Sequence, residues 1–176
     1  MRSQQASRTA EFMALFRALE SGRPVATRLF GDPFARGFLP SSLRLVERVA
    51  RLPAIGGVIP WLINRWWPGP LGAGICRTRF IDDALRAALQ LGIAQVLILG
   101  AGFDSRAYRI AGIERTRVFE VDHPATQAAK RERLTRMLAQ RPGHVVFVAI
   151  DFNRQRLDDV LMAAGFQSQA RTFVIW

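Results

Sequence analysis

Two glycines and a set of acids in the middle of the chain carry the clearest chemistry. Gly100 and Gly102 follow the apolar run Gln95–Leu99, and a second β-type run, Val118–Val121, leads to Asp122, 22 positions beyond Gly100. Glycines after a strand let backbone approach a ligand closely, and an acid about 20 residues on accepts from ribose hydroxyls; this is how a doubly wound α/β domain holds a nucleoside. A carboxylate offers two acceptor oxygens in a fork, which suits a vicinal diol. Glu120 shares the strand face of Asp122 and competes for that role. The turn reads Gly100-Ala101-Gly102-Phe103-Asp104-Ser105, so the third glycine of G-x-G-x-x-G is missing and Asp104 lies close to where a pyrophosphate would sit. Two like charges in a desolvated pocket repel. A cofactor with cationic groups and no phosphate removes that conflict, and S-adenosylmethionine has a sulfonium, an ammonium, a carboxylate and an adenosine. Asp104 is also a good cap for a following helix, and the two roles are compatible.

The strings LGAGFDSRAYR (99–109) and FEVDHPATQAAKRERL (119–134) resemble the S-adenosylmethionine-dependent methyltransferases of the leucine carboxyl methyltransferase type, their bacterial branch above all. The upstream CRTRFIDDAL (76–85) is similar to the segment before that family's first strand. The likeness runs from about Arg77 to the C-terminus and is weaker over the first seventy residues. It implies a Rossmann-like sheet and places the ribose-binding acid at Asp122. By the same resemblance Asp151 accepts from the adenine amino group, the Phe152 N–H meets a ring nitrogen, and Arg77 reaches the cofactor's carboxylate. Arg79 is near enough in sequence to be confused with Arg77. Gly100 and Gly102 bring backbone to the cofactor's amino-acid part.

His123 and His144 are the only histidines. With one cysteine, Cys76, and no acids at ligand spacing, no metal site is expected. His123, beside Asp122, is either a base or part of the pocket lining. Ser105 lacks the G-x-S-x-G context of a hydrolase nucleophile. No catalytic base can be named, and none is needed if the acceptor is a carboxylate.

The elements that must hold these residues alternate. Strands are expected at Val96–Leu99, Arg117–Val121, His144–Ile150 and from Thr172, with helices after Asp104, from Pro124 to about Gln140, and near Leu157–Ala164 with Gly165 as a left-handed stop. Such alternation implies a parallel sheet. Before it, helical spacing marks Ser7–Leu19, Ser42–Arg51 ended by Pro53, and Thr78–Leu91. The expected fold is thus α/β, doubly wound and mostly parallel, with residues 1–91 an N-terminal helical extension and lid and 92–176 the first half of the cofactor-binding unit, all one structural domain. The chain stops at Trp176 inside the apolar run TFVIW, which reads as a fragment whose C-terminal part is missing. Such an end would expose Phe173, Val174, Ile175 and Trp176, favouring self-association and little activity.

At 176 residues the chain can bury a core, and 49% hydrophobic content fits a globular protein. One cysteine and an N-terminus without a signal-peptide core point to the cytoplasm. Net charge is +11, nearly all from arginine, with Lys130 the only lysine. The arginines are scattered, so they support weak, salt-sensitive association and no specific nucleic-acid role. The run Lys130-Arg131-Glu132-Arg133 reads as a solvated helix face. The apolar stretch 54–76 contains Arg65, three prolines and five glycines, which a membrane span tolerates poorly. It reads as buried or lid-forming, with Trp61, Trp66 and Trp67 in core packing.

The function expected is methyl transfer from S-adenosylmethionine to a small-molecule oxygen or a carboxylate. The rivals are a nucleotide-dependent oxidoreductase and a non-catalytic truncated binding module.

Overall fold

A computed structural model describes residues 8–52 and 56–176. The N-terminal end of the signal-peptide reading (1–7, with the predicted helix start at Ser7), the stop at Pro53, and 54–55 at the head of the apolar stretch lie outside the described residues.

Four short apolar runs form one parallel sheet: β1 (Gln95–Leu99), β2 (Arg117–Asp122), β3 (Val145–Ala149) and β4 (Thr172–Ile175), in the order β3-β2-β1-β4. Val96 pairs with Val118 and Phe173, and Val121 with Leu99 and Val148. Side chains alternate between faces, and both faces are apolar because helices cover both. Val96, Ile98 and Val118 pack with Leu85, Ala107 and Ile110 on one side. Leu97, Phe119, Val121 and Val148 pack with Leu161 on the other. Between the strands run α5 (Arg106–Arg109), α6 (Pro124–Met137) and α7 (Leu157–Ala163). The helix expected after Asp104 is a single turn, α6 stops three residues short of Gln140, and Gly165 has φ +85° as a helix stop should.

The N-terminal part supplies α1 (Arg8–Ser21), α2 (Ser41–Ala50), α3 (Val58–Trp66) and α4 (Pro70–Gln90). Leu15, Phe16 and Leu19 of α1 pack with Phe38, Leu39, Leu71, Leu134 and Phe103, and the Phe38 and Phe103 rings stack at 5.2 Å. This cluster presses the N-terminal helices onto the glycine turn. Helix α4 begins eight residues before the expected Thr78. Gly72 and Gly74 depress helix propensity there, but burial of Leu71 and the packing of Gly74 beneath Met13 and Phe16 outweigh it.

Three expectations fail. Trp61, Trp66 and Trp67 are 61%, 79% and 58% exposed, and α3 has no buried residue. Its apolar stripe, Val58, Trp61, Leu62 and Trp66, faces outward while Ile63 packs inward, and Trp67 makes an edge contact with Phe12 at 5.8 Å. Lys130 is not on a solvated face: it is 1% exposed and pairs with Glu120 at 2.7 Å. At the end of the chain only Val174 and Trp176 are exposed, because Ile175 is buried against Val96 and Ile98 and Phe173 packs beside it. Among the described residues no helix is long and apolar enough to cross a membrane.

Candidate functional site

In an open parallel sheet the crevice forms where the strand order reverses. Here that point is the boundary of β1 and β4, and a cavity of about 380 Å³ lies at their carboxyl ends. Its walls include the glycine turn, Ala10 and Met13 of α1, Arg77 of α4, Asp122 and Trp176. Gly100 and Gly102 have φ +63° and +46°, a region that costs an L-residue about 1–2 kcal/mol. A Cβ on Gly100 would meet nothing within 4 Å; one on Gly102 would sit 3.1 Å from Ala10 Cβ. So Gly100 is open to space, while Gly102 is the place where α1 touches the turn.

Asp122 ends β2 beside this turn. Its Oδ2 accepts from Gly102 N at 2.5 Å and its Oδ1 from His123 N at 2.6 Å. The carboxylate therefore fixes the turn, and each oxygen keeps a further lone pair for a ligand. Glu120, its competitor, is 1% exposed and held under α6 by Lys130, so it does not reach the cavity. Burial raises its carboxyl above the usual range, with Lys130 opposing the rise.

Asp104 lines the cavity and accepts from Arg106 through both its backbone N–H, at 2.8 Å, and its guanidinium. Burial pushes the Asp104 carboxyl up, but the charges of Arg106, Arg17 and Lys130 outweigh it and hold it well below the usual range. The pairing with Arg106 weakens the charge argument against a phosphate. A stronger one replaces it: α5 is only four residues long and its leading N–H is already taken by Asp104. A single turn adds little aligned dipole, and one of the N–H groups that would hold a pyrophosphate is already committed.

Arg77 and Arg79 separate cleanly. Arg77 lines the cavity and donates to Trp176 O at 2.6 Å. Arg79 is turned away onto Asp83 and Leu29 O, at 2.6 and 2.8 Å. Asp151 and Phe152 lie beyond β3 and do not line this cavity. Asp151 accepts from Asn153 N at 3.0 Å, which lowers its carboxyl, and Phe152 is exposed. His123 Nδ1 accepts from Ala125 N and caps α6. His144 Nε2 lies 2.9 Å from Ala107 O, and Ser105 Oγ donates to buried Asp32 at 2.5 Å.

The model of the leucine carboxyl methyltransferase family matches residues 10–176, almost the whole described chain. The chain belongs to the leucine carboxyl methyltransferase family. It is similar to a Streptomyces coelicolor protein named "Putative S-adenosyl-L-methionine-dependent methyltransferase SCO7813", with 37% identity over 174 residues, 93% of this chain and 55% of that protein. A Rhodococcus jostii protein named in the same terms is 37% identical over 161 residues, 90% of this chain and 50% of its own length. Bacillus subtilis YktD, also so named, is 39% identical over 100 residues, 56% of this chain and 33% of its own. The chain thus spans about half the length of the curated relatives it matches along most of its length.

In this family member, sequence reasoning missed the charges that hold the site together. Arg17 of α1 donates to Phe103 O at 2.5 Å and to Asp32 at 2.8 Å. Arg109 donates to Ser105 Oγ and, through both terminal nitrogens, to Asp82 of α4 at 2.6 and 2.8 Å; Arg106 joins the same carboxylate at 2.8 Å. Arg17, Arg106 and Arg109 balance Asp32, Asp82 and Asp104, so the charges cancel inside a cluster that water scarcely reaches. It ties α1, α4 and α5 to the glycine turn. The signal was present at Asp82, which shares the buried stripe of α4 with Thr78 and Leu85.

Proposed function

We propose that this chain forms the cofactor-binding part of an S-adenosylmethionine-dependent methyltransferase that methylates an oxygen of a small molecule or a carboxylate. One observation supports this most. The switch-point cavity combines Asp122, with acceptor capacity to spare, and a turn followed by a helix too short and too blocked for pyrophosphate. The cavity also fits a cofactor of mixed charge, since the Arg77 guanidinium and the Asp122 and Asp104 carboxylates line it together. The relatives' names point the same way.

In this reading the Asp122 oxygens accept from the ribose hydroxyls. The open space over Gly100 admits the amino-acid part beside backbone, and Arg77 takes its carboxylate in a fork. Asp104 supplies negative potential towards the cationic end. Asp151 and the Phe152 N–H hold the adenine further along the carboxyl edge. When bound, the cofactor supplies an activated methyl group for in-line transfer, so the protein's part is to position and desolvate. A carboxylate acceptor needs no general base, and we assign none. Residues 1–91 act as a helical extension and lid to the unit 92–176. The edge of β4 away from β1 is the proposed route of self-association.

Asp122→Ala, measured by calorimetry with S-adenosylhomocysteine, should lose about 1–3 kcal/mol of binding, the cost of leaving buried polar partners unmet. Asp122→Asn, which keeps one acceptor oxygen, should fall between. Unchanged affinity in a folded Asp122→Ala protein removes the residue from this role.

A further inference from the structure

A second cleft of about 200 Å³, sharing no lining residue with the switch-point cavity, opens between α6 and β3. Leu134, Leu138 and the rings of Phe147 and Tyr108 line it, and the buried Tyr108 hydroxyl has no hydrogen-bond partner among the described residues. Two guanidiniums, from Arg131 on α6 and Arg141 in the loop before β3, each lie 5.6 Å from the centre of the Phe147 ring. Among the described residues neither guanidinium is within ion-pairing distance of a carboxylate, nor does either donate a hydrogen bond. Their neighbours behave otherwise: Arg133 is paired with Glu11 and Arg136 with Glu132. Among the described residues no acid lines the cleft, and the remaining polar side chains there are Tyr108, Thr135 and Gln140. The Thr135 hydroxyl is committed to Arg131 O at 2.9 Å.

A mostly apolar floor rimmed by two unpaired guanidiniums has a definite complement. We propose that this cleft binds an amphipathic organic anion, its oxyanion group between Arg131 and Arg141 and its apolar body on Leu134, Leu138 and Phe147. The planar fork of each guanidinium matches a carboxylate or a phosphate. Stacking on Phe147 keeps both side chains at the rim and lowers the entropy lost on binding. Gln140 and the unpartnered Tyr108 hydroxyl are the other side-chain donors that line the cleft. The cleft lies on the outer strand β3, away from β1 and β4, so it is independent of the methyl-transfer reading.

The probe is phenyl phosphate, with inorganic phosphate and phenol as its two halves, titrated by calorimetry at constant ionic strength. Phenyl phosphate should bind saturably at one site and more tightly than either half. Arg131→Ala and Arg141→Ala should each weaken it by about tenfold, the worth of one charge-assisted contact. Arg48→Ala removes the same charge from an exposed position on α2 and should change nothing beyond the loss of net charge. Benzoate against phenyl phosphate separates a carboxylate from a phosphate preference, and binding of either supports the site. Equal weakening by all three arginine variants would show a general charge effect and overturn the proposal, as would equal affinity for phosphate and phenyl phosphate, or no saturable binding.

Discussion

Asp82 and Asp83 are adjacent in α4, and replacing each with alanine should give very different results. Asp82 is fully buried and accepts three guanidinium bonds, from Arg106 at 2.8 Å and from Arg109 at 2.6 and 2.8 Å. The arginine side chains are 7% and 4% exposed, so water cannot take the place of the carboxylate. Each bond to a charged group is worth about 1.5–3 kcal/mol, but the sum overstates the loss because Arg106 keeps Asp104 and Arg109 keeps Ser105. Stranding one side of a buried ion pair costs about 3–5 kcal/mol, and that is the loss expected for Asp82→Ala. It is a large share of a typical domain stability of about 5–15 kcal/mol. Asp83 also touches two arginines, Arg79 and Arg86, yet its side chain is 50% exposed. Asp83→Ala should therefore cost far less than Asp82→Ala, since solvent screens an exposed pair. Urea unfolding at neutral pH, followed by far-ultraviolet circular dichroism, measures both. A loss below about 1 kcal/mol for Asp82→Ala, or equal losses for the pair, would refute the view that this cluster fastens α4 to the turn.

The two turn glycines should also differ. Gly100→Ala adds only the strain of a left-handed residue, about 1–2 kcal/mol, whereas Gly102→Ala adds the same strain and pushes Ala10 of α1 away; proteolysis of the N-terminal helix should accelerate only in the latter, and equal protection would contradict that contact. The acid side of the stability profile should carry Asp104. Its carboxyl is depressed in the folded state, so its contribution is present above the ordinary value near 3.9 and is lost as pH falls below it; Asp104→Asn should flatten that fall, and an unchanged slope would count against the pairing. Glu120 has the opposite sign. Raised by burial, it favours the folded state at low pH and loses that contribution as pH rises through its folded value, so Glu120→Gln should remove a decline above about pH 4.3.

The sheet was legible because its signal is local. Each strand is an apolar run between helix signals, and observed bounds lie within a residue of those expected. Polar residues that fold inward were not. In α6 the buried positions Thr126, Gln127, Lys130 and Leu134 follow helical spacing, but their polarity hid the stripe, and Lys-Arg-Glu-Arg read as a solvated face. The partner acid was visible as Glu120 inside an otherwise apolar strand. A tryptophan-rich stripe with helical spacing reads as core whichever way it faces, so the outward turn of α3 had no sequence signal. At the site, Arg77, Gly100, Gly102, Asp104 and Asp122 converge on one cavity, while Asp151 and Phe152 stand outside it. The convergence was legible through motifs. The cluster that fixes it joins residues as far apart as Asp32 and Ser105, and no local pattern encodes such pairs.

The most direct test of the central claim is a paired titration of the 176-residue chain with S-adenosylhomocysteine and with NAD, read by calorimetry. Saturable binding of S-adenosylhomocysteine, with none of NAD, is the predicted result. Binding of NAD in preference would contradict it, because the one-turn α5 blocked by Asp104 would then be holding the pyrophosphate it is argued to exclude.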